Sequence, residues 1–271
     1  GGMWYTPVSG IWQSVWLEAV PDTYVKSIDF KVIDDGVELT FEGVDDGVVK
    51  LDNGEEFLVT DGKTTVKPSE VHFWSPEEPY LYRYTATFNQ DTVSSYFAIR
   101  TLSVMQDGAY KRLCLNGRPY FFHGLLDQGY YPEGIYTPAS PKAYEQDIID
   151  MKNLGFNTLR KHIKVEPDVF YYDCDRLGMI VFQDMVNNGK YAYAFDTVMP
   201  TVGIQKLDDT TWEKRGRVRA AFRQGMADTV KQLRFHPCIC YWTIFNEGWG
   251  QFQGSEMYEK LRAMDDSRII D

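Results

Sequence analysis

Met179-Ile180-Val181-Phe182-Gln183-Asp184 and Ile239-Cys240-Tyr241-Trp242-Thr243-Ile244-Phe245-Asn246-Glu247 are short apolar runs that break off into amide and acidic side chains. Around them lie stretches with helical spacing. From Ser140 to Leu154, apolar Ala143, Tyr144, Ile148, Met151 and Leu154 recur close to the helical period. Glu166 to Leu177, Thr211 to Phe235 and Ser255 to Met264 continue the series. Gly155 and Gly178 fall where C-terminal cap glycines belong, and Pro141 falls in a first turn. The runs Tyr120-Phe121-Phe122 and Phe156-Asn157-Thr158-Leu159 complete the alternation, and Ile269-Ile270 starts a fifth strand. Strand–helix repetition predicts a parallel sheet. No G-x-G-x-x-G or G-x-x-x-x-G-K-[ST] loop is present, which favours a (β/α)8 barrel over a doubly wound nucleotide fold. Such a barrel takes about 250 residues. Residues 106–271 are too few, so the sequence is expected to hold its first half.

The first hundred residues read differently. Val37-Glu38-Leu39-Thr40-Phe41 alternates apolar and polar, and Tyr80, Tyr82, Tyr84, Ala86 and Phe88 share one face of a run. Asp35-Gly36, Asp46-Gly47, Asn53-Gly54 and Asp61-Gly62 supply the positive φ of tight hairpins. Short strands with frequent turns predict an antiparallel sandwich. The fold class is therefore multidomain β and α/β. Residues 1–20 are expected to be the tail of a preceding sandwich, with a strand over Gly10 to Glu18. Residues 21–105 are an immunoglobulin-like β-sandwich. Residues 106–271 are the first half of a TIM barrel. Gly1-Gly2-Met3-Trp4-Tyr5 is no signal peptide and reads as the middle of a longer chain.

Composition narrows the function. The 271 residues are 44% hydrophobic and 25% charged, with net charge -11. That is a globular balance with the wrong sign for a nucleic-acid partner. The cluster Lys214 to Arg219, with Arg223, reads as a solvated helix face. No apolar run is long enough to span a membrane. Cys114, Cys174, Cys238 and Cys240 lack metal spacing and read as buried thiols.

In a barrel the working groups lie at the carboxyl ends of the strands. The four runs end in Asp127-Gln128, Arg160-Lys161-His162, Gln183-Asp184 and Asn246-Glu247, so these side chains are expected to converge. Glu247, beside aromatic Trp249, is the candidate general acid, since an apolar surround raises a carboxyl's pKa. Asn246 can donate to a hydroxyl, Arg160 can hold a carboxylate and His162 can hydrogen-bond a sugar. Trp249, Tyr130 and Tyr131 are candidate stacking surfaces. The plainer alternatives are an ion pair of Arg160 with Glu247 or Asp184, a core or rim histidine, and core tyrosines.

Four segments carry a resemblance to glycoside hydrolase family 2, the β-galactosidase, β-glucuronidase and β-mannosidase group. They are Ser9 to Glu18, Trp74-Ser75-Pro76-Glu77-Glu78-Pro79-Tyr80-Leu81-Tyr82, Leu115-Asn116-Gly117-Arg118-Pro119-Tyr120-Phe121-Phe122-His123-Gly124 and Trp242 to Gly250. The resemblance implies a retaining glycosidase acting on a carbohydrate substrate. Glu247 would be the acid/base, Asn246 the partner of the sugar 2-hydroxyl and Arg160 the arginine after strand two. The nucleophile, a glutamate on strand seven, would lie beyond residue 271. A catalytically inactive carbohydrate-binding or scaffold protein is the alternative. A third reading, another barrel hydrolase, would make Asp127 or Asp184 the second carboxylate. Leu126 to Tyr131 and Lys161 depart from the family pattern and are expected to reshape the sugar pocket. No ligand cluster supports a metal or cofactor. Homo-oligomer formation by the full-length protein is compatible with this reading.

Overall fold

The structure, a computed structural model, describes residues 6, 8–187, 193–194, 198–204, 215–246 and 251–271. Seven strands build two antiparallel sheets: β1 (Ser27–Ile33), β2 (Gly36–Glu42), β3 (Gly47–Leu51), β4 (Glu56–Val59), β5 (Lys63–Val66), β6 (Tyr82–Phe88) and β7 (Thr92–Phe97). Their orders are β1-β2-β5 and β4-β3-β6-β7. The period of two decides which side chains meet. Tyr82, Tyr84, Ala86 and Phe88 of β6 are buried, and with Leu39, Phe41, Val49 and Val66 they fill the space between the sheets. Asp61 and Gly62, at φ 49 and 70, turn the chain between β4 and β5.

A small antiparallel sheet follows: β8 (Leu102–Asp107), β9 (Tyr110–Leu115) and β10 (Arg118–Pro119). The strand–helix series then runs β11 (Gly124–Asp127), α1 (Lys142–Asn153), β12 (Thr158–Lys161), α2 (Asp168–Leu177), β13 (Ile180–Asp184), α3 (Met199–Thr201), α4 (Gly216–Leu233), β14 (Ile239–Thr243), α5 (Gly254–Met264) and β15 (Ile269–Ile270). The five strands are parallel in sequence order. This is the first half of a barrel, as the strand–helix pattern predicts.

Register divides the barrel strands into two faces. Lys161, Gln183 and Trp242 lie side by side on the face packed against the helices and are fully buried. Arg160, Phe182 and Tyr241 lie side by side on the opposite face. There Phe182 stacks on Tyr241 at 4.5 Å and meets Phe122 at 5.3 Å. Gly178, at φ 76, ends α2 in the left-handed conformation, and a β-carbon there would come within 2.5 Å of the Pro76 carbonyl oxygen.

Sandwich and barrel are locked together. Buried Trp74 donates its indole N–H to the Asp175 carbonyl at 2.7 Å. Tyr96 donates its hydroxyl to the Asp175 carboxylate at 2.7 Å, and the same carboxylate bonds His236 Nδ1 at 2.7 Å. A buried carboxylate with several donors is satisfied, which is what makes such burial tolerable.

Some expectations need correction. Gly10 to Glu18 contains no strand, and Ile11 and Leu17 are 85% and 100% exposed. A strand is stable only with a neighbour to take its backbone hydrogen bonds, and no described strand pairs with this segment. Tyr120 to Phe122 is not the first barrel strand, which starts at Gly124, because its aromatic rings turn to pack on Phe182 and on each other. The basic face of α4 is only partly solvated: Arg219 and Arg223 lie over the Phe252 ring at 5.1 and 5.2 Å. The four cysteines are buried and unpaired with one another. No described helix is long and apolar enough to cross a membrane.

Candidate functional site

The carboxyl ends of β12, β13 and β14 bring four of the expected residues together. Arg160 sets Nε and Nη2 at 3.0 Å from Asp184 Oδ1 and Oδ2, a parallel two-bond pair. Nη2 also reaches Asn246 Oδ1 at 2.8 Å. His162 Nδ1 lies 2.8 Å from Asp184 Oδ2. An ionised carboxylate only accepts, so Nδ1 carries the proton that is shared and Nε2 is the nitrogen directed elsewhere. Asp184 is 1% exposed while Arg160 and Asn246 are half-buried. The guanidinium is thus neutralised on its Nε edge by the protein itself, the ion pair considered as the plainer alternative. Because Asn246 presents Oδ1 to Arg160, its amide N–H2 is free to point away from the guanidinium.

Asp127 does not join this group. Its carboxylate accepts from Lys161 Nζ at 2.7 Å and from the Gly129 N–H at 2.8 Å. Lys161, one residue from Arg160, therefore faces the helices and not the mouth, so it cannot line a sugar pocket as its departure from the family pattern suggested. Its ammonium also bonds Glu166 Oε1 at 2.8 Å and sits 4.5 Å from the Phe170 ring centre. Burial alone would lower the Lys161 pKa, but the charges of Asp127 and Glu166 outweigh it and hold the group above the usual lysine value. Glu247 and Trp249 lie outside the described residues.

Two residues that the sequence reading missed hold the loop beyond β11. Lys164 Nζ bonds the carbonyls of Gly129 and Tyr136, the latter at 2.6 Å, and pairs with Glu166 at 2.9 Å. Burial lowers its pKa despite the neighbouring Glu166 carboxylate. The ammonium also lies 4.3 Å from the Tyr136 ring centre, and Trp12 meets that ring edge-on at 4.8 Å. Tyr130 is part of this aromatic surround. Tyr131 packs edge-on against buried Tyr144, so it serves the core and not a stacking surface. The available signal was the spacing Lys161-x-x-Lys164-x-Glu166, in which two cations precede a carboxylate within one short stretch. Between them, Ile163 takes φ 45, a left-handed value costly for a β-branched residue, and this bend returns Lys164 to the buried side. No group of potential metal ligands occurs among the described residues.

A half-barrel follows a seven-strand sandwich, with charged groups gathered at the carboxyl ends of its strands, so the chain is a sandwich-plus-barrel protein. Comparison with known proteins gives the family. The model of the glycosyl hydrolases family 2 TIM barrel domain matches residues 108–271, and the family 2 model preceding it matches residues 25–100. The chain belongs to glycosyl hydrolases family 2. It is 24% identical over 97% of its length to a β-galactosidase of Thermoanaerobacter pseudethanolicus and covers 36% of that protein. It is also 24% identical over 97% of its length to a β-glucuronidase of Chlorocebus aethiops, covering 41% of it. Among solved structures, a β-glucuronidase of Faecalibacterium prausnitzii superposes with TM-score 0.71 at 21% identity, over 92% of this chain and 42% of the other. A family 2 β-galacturonidase of Eisenbergiella tayi superposes with TM-score 0.68 at 19% identity, over 93% and 46%. The chain thus spans less than half the length of these relatives.

Proposed function

We propose that this chain carries the acid/base half of a retaining β-glycosidase. Glu247 is the general acid/base, Asn246 binds the sugar hydroxyl next to the reacting carbon, and Arg160, His162 and Asp184 form the polar floor beneath. The nucleophile is a glutamate from a later strand, outside this sequence. The supporting observation is the 2.8 Å bond from Arg160 Nη2 to Asn246 Oδ1, which ties the residue before Glu247 to the charged cluster on β12 and β13. In this reading His162 Nε2 and the Asn246 amide are the groups offered to substrate hydroxyls. The sugar is a β-linked hexose or hexuronic acid, as in the relatives' names. Trp249, two residues after Glu247, adds an aromatic face.

The test uses a protein extended through the remaining barrel strands and assayed on aryl β-glycosides. Glu247→Gln is expected to lower turnover about 10²–10⁴-fold. The loss should be larger for poor leaving groups than for good ones, because only poor ones need the proton. An unchanged rate would refute the assignment. Sugar binding by the unaltered protein without any turnover would favour the inactive carbohydrate-binding alternative.

A further inference from the structure

The junction of sandwich and barrel forms a half-open cavity of about 220 Å³, lined on one side by β1 and on the other by the turn after α5. It lies at the amino end of β14, the opposite end from the Arg160 cluster. Its charges do not balance. Arg234 pairs with Asp29, and Arg268 pairs with Asp265 at 2.7 Å. Asp265 has no acceptor to spare, since Trp242 Nε1, the Ser267 N–H and the Ser267 hydroxyl also donate to it. Arg100, 5% exposed, lines the same cavity with no carboxylate within ion-pair distance among the described residues. Its recorded partners are two carbonyls, Pro237 at 2.8 Å and Ile239 at 2.7 Å. Arg268 Nε donates to that same Ile239 carbonyl at 2.8 Å, so two guanidinium groups converge on one oxygen. Exposed Lys31 adds a further cation at the cavity wall, against exposed Asp266.

We propose that this cavity is a binding site for a small oxyanion, of the phosphate, sulfate or carboxylate class, held by Arg100 and Lys31. A buried cation with no carboxylate in contact is costly, and the neighbouring Arg268 guanidinium raises that cost. The guanidinium edge not used on the carbonyls suits the paired oxygens of such an anion. The volume suffices, since a water molecule takes about 30 Å³. Bound there, the anion would join the sandwich strand β1 to the barrel floor and stabilise their junction. The site is separate from the proposed catalytic groups and does not depend on them.

Thermal unfolding of the protein decides the matter. Sodium phosphate, sodium sulfate and sodium acetate are titrated separately, with sodium chloride keeping the ionic strength constant. With at least one oxyanion the unfolding temperature is expected to rise with the logarithm of its concentration once that exceeds the dissociation constant, as binding to the folded state requires. Exclusion of salt from the protein surface gives instead a rise roughly linear in concentration. Arg100→Met should abolish the logarithmic part. Lys31→Glu, on an exposed residue, should move the onset of the logarithmic rise to roughly tenfold higher concentration or more. If Arg100→Met does not fold, Lys31→Glu decides alone. A melting temperature that follows ionic strength only overturns the proposal, as does a logarithmic rise that survives unchanged in every folded variant.

Discussion

Arg160 and Asp184 join by two parallel hydrogen bonds of 3.0 Å across adjacent strands, and Asp184 also holds His162. Asp184→Asn keeps the shape, removes the charge and turns an acceptor into a donor facing a guanidinium. Loss of a buried, charge-assisted partner costs about 2–4 kcal/mol. Urea unfolding of the protein should show that loss. An unchanged midpoint would mean that the pair contributes nothing net.

Lys161 is fully buried between Asp127 and Glu166, and Glu166 is itself fully buried. Lys161→Met retains the stem's packing on Phe170 but leaves Asp127 without its cation and Glu166 with Lys164 alone. A loss of about 3–5 kcal/mol is expected for a broken buried pair. Adding Asp127→Asn should recover part of it in a double-mutant comparison, because the stranded charge is then removed. If the second substitution makes matters additively worse, the electrostatic account of this network fails.

Gly129 has φ +64, and a β-carbon there would lie 2.2 Å from Glu166 Oε1 and 2.8 Å from Lys164 Nζ. Neither atom can withdraw, since both are ion-paired in the interior. Gly129→Ala should therefore cost about 2–5 kcal/mol, from left-handed strain plus overpacking. Gly108, at φ +58 with nothing within 4 Å, is the control. Gly108→Ala should cost about 1–2 kcal/mol from strain alone. Equal losses at the two positions, measured by denaturant unfolding, would remove the case for a crowded loop anchor.

Burial would raise the Asp265 pKa, but Arg268, Ser267 and Trp242 outweigh it and hold the carboxyl well below its ordinary value. A carboxyl depressed by folding contributes stability above its unfolded pKa and loses it as pH falls toward the folded value. Stability should thus drop below about pH 4, the unfolded carboxyl range. Asp265→Asn should be less stable at neutral pH and show a flatter decline over the acid range. Parallel melting curves for the two proteins from pH 6 to pH 3 would contradict this.

Most of the architecture was legible because burial imposes a period. The alternation at Tyr82, Tyr84, Ala86 and Phe88 and the helical spacing through Tyr144 and Ile148 survive intact. The convergence of Arg160, His162, Asp184 and Asn246 was legible from the rule that strand ends carry function. The direction of Lys161 was not. A lysine reads as a solvent group, and only two carboxylates, one of them 34 residues away, allow it into the interior. Asp127 was expected at the mouth by the same strand-end rule, but its carboxylate turns to Lys161. Gly10 to Glu18 is rich in strand-favouring apolar residues, yet a strand also needs a partner backbone, which local composition does not encode.

Along β12 the side chains alternate between two duties. Arg160 belongs to the face proposed to meet substrate, and Lys161 belongs to the brace behind it. Under that proposal, selection for a new ligand can act on every second position of such a stave while the positions between are held by foldedness alone. Diversity in a mutational library of this strand should accordingly be striped, tolerant where it meets ligand and intolerant one residue on.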